Sequence, residues 1–335
     1  MKRFAKKFDG GGKSRKRERL IDRPYNALKF IRHLIEKLLR KLPKFDTILS
    51  VAITLIVFFI IGKEAYYLIE NRRMISELNS FSHQKIFDEI ASMLVVYDAK
   101  VKDNSLEFVR LGKDNDGGYV VPVIALESAD VLMGYGIADD ILFEREFSQR
   151  FDKPSFGFDC GVQNINTGDG RCHFFSECIG TSSYLYEEQN SSGHISSFHE
   201  QLLRLGLTDK KVFIKMDIEG AEFEVMDDIL KNAQNITGIA IEIHIPRNNP
   251  EKALNFLSSV SRHFVLVHLH GNNFSGSYFK TKYSSHSVPK VLELTYINKN
   301  LLSFYKISKN QKHPQPIDQP DNPKFSDCEF EILLN

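Results

Sequence analysis

The chain has 335 residues, of which 42% are hydrophobic and 26% are charged. This is the composition of an ordinary globular protein with a sizeable core, and the length allows one large domain with appendages or two small ones. The formal net charge of +1 hides an asymmetry, because residues 1–44 hold sixteen Lys or Arg against four Asp or Glu. The four cysteines show no metal-ligand spacing, which excludes a cysteine metal centre and predicts packed free thiols.

The amino-terminal region is basic. Residues 1–27 lack apolar periodicity and are predicted to be a disordered segment. Residues 28–44 place apolar residues at helical spacing between basic ones, which predicts an amphipathic helix that ends near Pro43. Such a helix fits the interface of an anionic membrane, and the alternative is an ordinary helix docked on the folded domain.

Residues 45–69 are predicted to form a transmembrane or membrane-anchor helix. They contain an uncharged run from Thr47 to Gly62, which as a helix spans about 24 Å of a hydrocarbon core about 30 Å thick. The lipid bilayer is therefore an expected partner through residues 28–69, with a buried core helix as the alternative. The basic excess before this run predicts a cytoplasmic amino terminus, so a spanning helix would put residues 63–335 on the far side. The protein is expected at a membrane, either single-pass or surface-anchored.

The remaining chain alternates strand-like and helix-like patterns. Residues 70–100 read as a helical neck, residues 101–310 as the main domain and residues 311–335 as a carboxyl-terminal tail. Short apolar runs predict strands over 130–136, 154–160, 172–180, 211–217, 236–244, 265–271 and 288–298. Strands that alternate with helices predict an α/β fold, an open and mostly parallel sheet with helices on both faces.

Polar residues gather where these strands end, which is where ligands bind in open α/β sheets. The strand-end residues are Gly134, Gly136, Asp159, Asp217, Glu242, His244, His268 and His270. Two glycines at a strand end let backbone approach a ligand, although on their own they are better explained by a simple tight turn. Asp159 ends the next strand, where a carboxylate can accept the hydroxyls of a ribose. The chain contains no GxxxxGK[ST] motif, which argues against a phosphate-cradling NTPase.

The stretch FIKMDIEGAEFEVM carries three carboxylates where a strand turns into a helix. Glu219 and Glu222 are predicted in the first helical turn, where negative charge complements the helix dipole. Asp217 instead ends a buried strand, where an unpaired acid is costly. Asp217 is therefore the carboxylate most strongly expected to take part in chemistry.

This stretch resembles the signature strand and helix of FkbM-type S-adenosylmethionine-dependent methyltransferases, which have the Rossmann-like class I fold. Weaker pieces occur in the expected order: RLGKDNDGGYVV, GYGIADDILFEREFS, FGFDC, IEIH and HLHGNN. The resemblance implies that Gly134 and Gly136 line the methionine part of the cofactor, that Asp159 binds the ribose and that Asp217 faces the methyl transfer. The glycine loop departs from the family because it lacks the fuller GxGxG pattern.

Asp116 lies in the turn of KDNDGGYVVP, residues 113–122. This segment is predicted to be a hairpin, either without a ligand or closing over the cofactor, which makes Asp116 a candidate cofactor-binding residue.

The resemblance implies O-methylation, commonly of a sugar or natural-product hydroxyl. Asp217 and His244 are the candidates for proton acceptor or substrate orientation, and His268, His270 and Glu242 are expected at substrate-side or supporting positions. Each histidine is equally explained as a hydrogen-bonded strand-end residue. Asp217, Glu242, His244 and His270 have side chains that ligate divalent ions, but no compact motif such as HExxH occurs, so a metal is not favoured.

The sequence therefore predicts a membrane-anchored methyltransferase that uses S-adenosyl-L-methionine on a hydroxyl of a glycan, glycolipid or related metabolite, without a nucleic-acid partner. Two alternatives stay open, a catalytically silent nucleotide-binding scaffold and a nucleotide-sugar-using transferase. The cofactor is made in the cytosol whereas the anchor predicts a domain beyond the membrane, so the side on which the catalytic domain lies stays open.

Overall fold

The protein is described by a computed structural model that covers residue 37 and residues 47–168, 170–181 and 194–334. The predicted disordered segment 1–27 lies outside these residues, as does the predicted amphipathic helix 28–44 apart from the exposed, helical Lys37. The chain divides into two compact units, Met1–Leu78 and Asn79–Asn335.

Helix α1 spans Thr47–Met93 and includes most of the predicted membrane anchor and neck. Most apolar side chains of the uncharged run lie outside the described part of the structure. Among the residues that are described, no helix combines the length and the apolar character that a membrane crossing requires. In the second unit the helix buries Ile86 and Ile90, and the chain turns into a strand at Tyr97.

The second unit continues as an alternation of strands and helices, as the sequence patterns predict. In chain order the strands are β1 (Tyr97–Val101), β2 (Asn104–Ser105), β3 (Phe108–Gly112), β4 (Gly118–Pro122), β5 (Val131–Tyr135), β6 (Ser155–Phe158), β7 (Cys172–Phe175), β8 (Glu177–Ile179), β9 (His194–Ser196), β10 (Val212–Met216), β11 (Ile236–His244), β12 (Phe264–Gly271), β13 (Tyr278–Phe279), β14 (Val288–Pro289), β15 (Val291–Asn298), β16 (Phe304–Ile307), β17 (Lys312–His313) and β18 (Phe330–Glu331). The further α-helices are α2 (Val123–Glu127), α3 (Leu142–Phe151), α4 (Phe198–Leu205), α5 (Glu222–Leu230) and α6 (Glu251–Val260), with 3-10 turns at Ala233–Asn235 and Lys299–Leu301.

The centre of this unit is a seven-stranded, mostly parallel sheet in the order β12-β15-β11-β10-β5-β6-β7. Strands β5, β6, β7, β10 and β11 pair in parallel, whereas β15 lies antiparallel between β11 and β12. Every residue of β5, β10 and β12 is buried. The continuous apolar runs of the sequence therefore mark strands that are covered on both faces.

The two faces of the sheet belong to two hydrophobic clusters. Val131 and Met133 of β5 pack in the cluster that contains α4, α5 and α6, whereas Leu132 packs in the cluster that contains α2 and α3. Successive strand residues point to opposite faces, so helices lie on both sides of the sheet. The predicted α/β architecture, a mostly parallel sheet with helices on both faces, is confirmed.

The order of the strands reverses between β5 and β10. From β5 the chain moves outward through β6 to β7, and β10 then returns to the other side of β5 and leads outward to β11. The crevice at the carboxyl ends of two such strands is where open α/β sheets bind ligands. Asp217 comes directly after β10 and therefore stands at this crevice.

The expected tail, residues 311–335, is described as far as residue 334 and folds as part of the second unit. Strand β17 pairs with β18, and Phe330 and Ile332 are buried in the larger cluster, so apolar burial holds this segment in place. It also brings Asp318, Asp321 and Asp327 to the end of β12, as the distances below show.

The prediction of free thiols is wrong for two cysteines. Cys160, after β6, forms a disulfide with Cys178 in β8; the two cysteines are 18 residues apart, and β7 lies between them in the chain. Cys172 is free and buried, and Cys328 is free and half-buried.

Candidate active site

Four side chains form a row across adjacent strands of the sheet, in the order Asp217, Glu242, Glu293 and His270. Glu242 of β11 is the register partner of Glu293 of β15, and Glu293 is the partner of His270 of β12. Met216 pairs with Ile241, so Asp217 continues the row next to Glu242. The antiparallel strand β15 thus places a second buried glutamate, Glu293, between Glu242 and His270, which the sequence patterns did identify.

Asp217 is half-buried, and its carboxyl is incompletely bonded. Its Oδ2 lies 3.5 Å from the Tyr119 hydroxyl, and its Oδ1 has no hydrogen-bond partner among the described residues. Burial and then the charge of Glu242 raise the pKa of Asp217 well above its usual range. In the protein alone these effects favour the neutral carboxyl, which can donate a hydrogen bond.

The two predicted glycines lie beside Asp217 and make room for other protein atoms. Gly136 has a φ of +75°, and a Cβ there would collide with the Asp217 backbone carbonyl. A Cβ at Gly134 would collide with the carboxylate of Glu144, a buried side chain whose pKa burial raises. Lys215 Nζ donates to the Gly136 carbonyl at 3.1 Å and fixes the same turn. These packing contacts account for the glycine pair.

The loop after β10 differs from its prediction. Glu219 has a φ of 57° and Gly220 a φ of 102°, and α5 begins only at Glu222. Glu219 therefore lies outside the helix, with an exposed side chain, because left-handed backbone at these two residues breaks the helical path. Buried Glu222 accepts hydrogen bonds from the backbone N–H groups of Ile218 and Gly220 at 3.3 and 3.0 Å and holds the loop.

His244 is enclosed by carboxylates. Its Nδ1 lies 3.2 Å from Glu222 Oε1, and its Nε2 lies 3.1 Å from Glu242 Oε1 and 3.5 Å from Glu219 Oε2. Burial acts to lower the pKa of His244, but the bonds to Glu222 and Glu242 outweigh it and raise the pKa to about 11. At neutral pH the ring is an imidazolium, which donates hydrogen bonds and has no lone pair to accept a proton.

Asp159 braces the loops at the ends of β5 and β6. Its Oδ2 accepts from the Ala138 N–H and its Oδ1 from the Gly161 N–H, both at 2.7 Å. Each oxygen keeps a further lone pair with which a ribose hydroxyl could bond.

Asp116 lies in the turn between β3 and β4. The Arg110 guanidinium holds this turn through the Lys113 and Asn115 carbonyls, and the Asn115 N–H donates to Gln319 at 2.9 Å. Burial and then the charges of Glu242 and Glu293 raise the pKa of Asp116. The turn thus brings Asp116 close enough to the row for its carboxyl to interact electrostatically with Glu242 and Glu293.

The histidines of β12 lie close to acids that sequence reasoning missed. His268 Nε2 lies 2.9 Å from Asp318 Oδ1. His270 Nδ1 lies 2.8 Å from Glu293 Oε2, and its Nε2 lies 3.1 Å from both oxygens of Asp327. Burial acts to lower the pKa of His270, but the bonds to Asp327 and Glu293 raise it to about 12. A lone acid within the apolar run VLELTYIN was the available signal for Glu293.

Two groups of side chains in the described part of the chain have the composition of a metal site. One is Asp217, Glu242 and His244, and the other is His270, Glu293 and Asp321. In each group the potential ligand atoms lie within 4.8 Å of one another. The first group lies at the crevice between β5 and β10, and the second lies at the far end of the row.

No family model and no curated protein matches the chain. Among solved structures, a proposed tRNA (m1A22) methyltransferase of Streptococcus pneumoniae in complex with S-adenosyl-L-methionine is 10% identical, with a TM-score of 0.24, covering 52% of this chain and 70% of that one. A proposed riboflavin biosynthesis protein of Shewanella sp. PV-4 is 12% identical, with a TM-score of 0.20, covering 53% and 78%.

Proposed function

We propose that the chain is an S-adenosyl-L-methionine-dependent O-methyltransferase of the FkbM type, acting on a hydroxyl of a glycan, glycolipid or related metabolite. The observation that carries this proposal is the position of Asp217. The residue that the FkbM-like stretch assigns to methyl transfer follows β10 at the reversal of strand order, and one of its buried oxygens lacks a partner. A buried polar atom without a partner is explained by a ligand, an ion or a water molecule, and its place at the strand ends favours a ligand.

The chemistry requires a proton acceptor. The acceptor hydroxyl oxygen attacks the methyl carbon, the carbon–sulfur bond breaks, and the products are a methyl ether, S-adenosylhomocysteine and a proton. Asp217 takes that proton in its ionised form. A sulfonium cation in the crevice favours this form, because an opposite charge nearby lowers the pKa of a carboxyl. His244 is charged at neutral pH, and both of its N–H groups face Glu222 and Glu242, so it would act by holding these carboxylates beside the crevice.

The cofactor would lie across the ends of β5, β6 and β10. Gly134 and Gly136 would border its methionine part, Asp159 would accept from its ribose, and the turn with Asp116 would close over it. Asp159 supports this arrangement because it stands at the end of β6, next to β5, with its carboxylate already fixed by two backbone N–H groups.

The disulfide bears on the compartment. Disulfides persist in oxidising compartments and are rare in the cytosol. The bond between Cys160 and Cys178 therefore favours a catalytic domain on the non-cytoplasmic side, with residues 28–69 as its bilayer anchor and an imported cofactor. Protease protection of residues 63–335 in sealed vesicles tests this arrangement, and digestion from the cytoplasmic side contradicts it.

The experiment that tests the activity combines binding with turnover. Calorimetry on the full chain is expected to show binding of S-adenosyl-L-methionine and none of UDP-sugars. Asp217→Asn is expected to retain binding and to lower kcat by about 10²- to 10⁴-fold, the usual contribution of a general base. The matched control is Asp227→Asn, an exposed acid of α5, which should leave kcat unchanged.

Each alternative outcome has a defined meaning. Absence of cofactor binding rejects the proposal, and binding without turnover on any glycan acceptor favours the silent scaffold. Binding of a UDP-sugar favours the nucleotide-sugar transferase. Near-normal turnover by Asp217→Asn removes Asp217 from the mechanism.

A further inference from the structure

The far end of the row holds a closed group of three side chains, His270, Glu293 and Asp321. Only 3%, 8% and 1% of these side chains are exposed. They come from β12, from β15 and from the folded carboxyl-terminal segment. None of them belongs to the crevice between β5 and β10, where the proposed methyl transfer occurs.

Three of the four carboxyl oxygens in this group lack hydrogen-bond partners among the described residues. Both oxygens of Asp321 and Oε1 of Glu293 have no hydrogen-bond partner among the described residues. A buried ionised carboxylate without a partner is costly, and a protonated one still has an O–H that must donate. Protonation of Asp321 would therefore still leave its carboxyl without a hydrogen-bond partner. A bound cation would satisfy these oxygens, because it accepts lone pairs from several oxygens at once.

The orientation of His270 is that of a metal ligand. Its Nε2 faces both oxygens of Asp327 at 3.1 Å, while its Nδ1 faces Glu293 Oε2 at 2.8 Å and Asp321 Oδ2 at 3.8 Å. Histidines that bind metals donate the N–H of their other nitrogen to a carboxylate, which fixes the ring. Asp327 stands in that supporting position.

The spacing also fits one ion. Atoms that bind one octahedral cation at about 2.1 Å stand about 3 Å apart when they are adjacent. The distances of 2.8 and 3.8 Å from His270 Nδ1 to the two carboxylates lie on either side of this value.

We infer that His270 Nδ1, Glu293 and Asp321 bind one divalent cation, which displaces the proton on Nδ1 into solvent, with Asp327 orienting the histidine. One imidazole nitrogen with carboxylate oxygens suits a transition-metal ion such as Mn²⁺ better than Ca²⁺ or Mg²⁺, which take oxygen ligands. The absence of cysteine from the group argues against a structural Zn²⁺ centre.

The other candidate group is less suited to an ion. Both oxygens of Glu242 already have partners, Asn272 Nδ2 at 2.6 Å and His244 Nε2 at 3.1 Å. His244 is held between two carboxylates as His270 is, but in this group only Asp217 offers a free oxygen. That end of the row faces the proposed substrate crevice.

The test measures metal binding and needs no methyl transfer. The full chain is dialysed against EDTA and titrated with Mn²⁺, with the free ion followed by electron paramagnetic resonance and the melting temperature recorded in parallel. We expect one bound Mn²⁺ per chain and a rise in the melting temperature. Asp321→Asn and Glu293→Gln should abolish both effects, and Asp327→Asn should weaken binding by about 10- to 100-fold.

Two control variants remove other acids. Asp98→Asn changes an exposed acid of β1, and Asp217→Asn changes the free acid of the other group; both should bind Mn²⁺ as the wild type does. Circular dichroism checks the fold of each variant. An anomalous-scattering peak between His270, Glu293 and Asp321 in wild-type crystals soaked in Mn²⁺ gives a readout that needs no variant.

Three results would overturn the inference. The first is no binding of Mn²⁺ at millimolar concentration, and the second is unchanged binding in Asp321→Asn. The third is an anomalous peak at Asp217 with binding lost in Asp217→Asn alone, which moves the ion to the crevice. None of these results depends on whether the chain binds S-adenosyl-L-methionine, so the metal site and the methyltransferase activity are tested independently.

Discussion

Replacement of Gly136 by alanine perturbs the turn that carries Asp217, at a position where two physical effects can be separated. The backbone at Gly136 has a φ of +75°, which an L-residue adopts at a cost of about 1–2 kcal/mol. The added Cβ would also meet the Asp217 backbone carbonyl. Backbone gives way less readily than a flexible side chain, and forced overpacking costs about 1–3 kcal/mol more.

Gly206 supplies the matched control. It ends α4 at a φ of 66°, and a Cβ there would meet no atom within 4 Å. Gly206→Ala therefore carries the backbone cost alone, about 1–2 kcal/mol. Gly136→Ala is expected to lose about 2–5 kcal/mol, a large part of the stability of an ordinary domain.

Urea-induced unfolding of the two variants and the wild type measures this difference, provided that the m values agree. A second readout is methyl transfer, which should fall in Gly136→Ala and not in Gly206→Ala because only the first displaces Asp217. Equal losses of stability in the two variants would refute the close approach of Gly136 to the Asp217 carbonyl.

Two further predictions concern pH and the disulfide. The pKa of His244 rises from an ordinary 6.5 to about 11 on folding, so its stabilising effect is complete below pH 6.5 and is lost as the pH rises toward 11. Between pH 7 and 10 the free energy of unfolding of the wild type should therefore fall faster than that of His244→Gln, by at most about 1.4 kcal/mol per pH unit. Urea midpoints that change equally with pH in the two proteins would contradict a charged His244. Joint replacement of Cys160 and Cys178 by serine should cost about 3 kcal/mol in non-reducing urea titrations, given their separation of 18 residues. Alkylation of both thiols in unreduced native protein would show that the bond is absent.

The strands could be predicted because apolar runs are a local property of the sequence. The run ITGIAIEIH predicts a strand over residues 236–244, and β11 has those bounds. The location of the site follows from the same patterns, since the carboxyl ends of parallel strands share one edge. Local patterns do not tell which strands become neighbours. The contact of Glu293 with His270 depends on β15 entering the sheet antiparallel between β11 and β12.

Charge states could not be predicted for the same reason. The sequence gives a histidine its ordinary pKa near neutrality, which suits a base. The structure surrounds His244 with Glu222, from the start of α5, and Glu242, two residues earlier in β11, and their combined effect raises the pKa to about 11. Helix-dipole reasoning places Glu219 and Glu222 in the first helical turn, which is confirmed for Glu222 and wrong for Glu219, whose left-handed backbone lies before the helix.

The two ends of the row differ in access, and this difference separates their proposed roles. At each end a histidine is held between carboxylates, and neighbouring acids are left incompletely bonded. The His244 side chain is 23% exposed, and Asp217 beside it stands at the crevice between β5 and β10. The His270 side chain is only 3% exposed and is covered by Asp321 and Asp327. This difference in exposure favours a cofactor or a sugar at the first end and a small ion at the second.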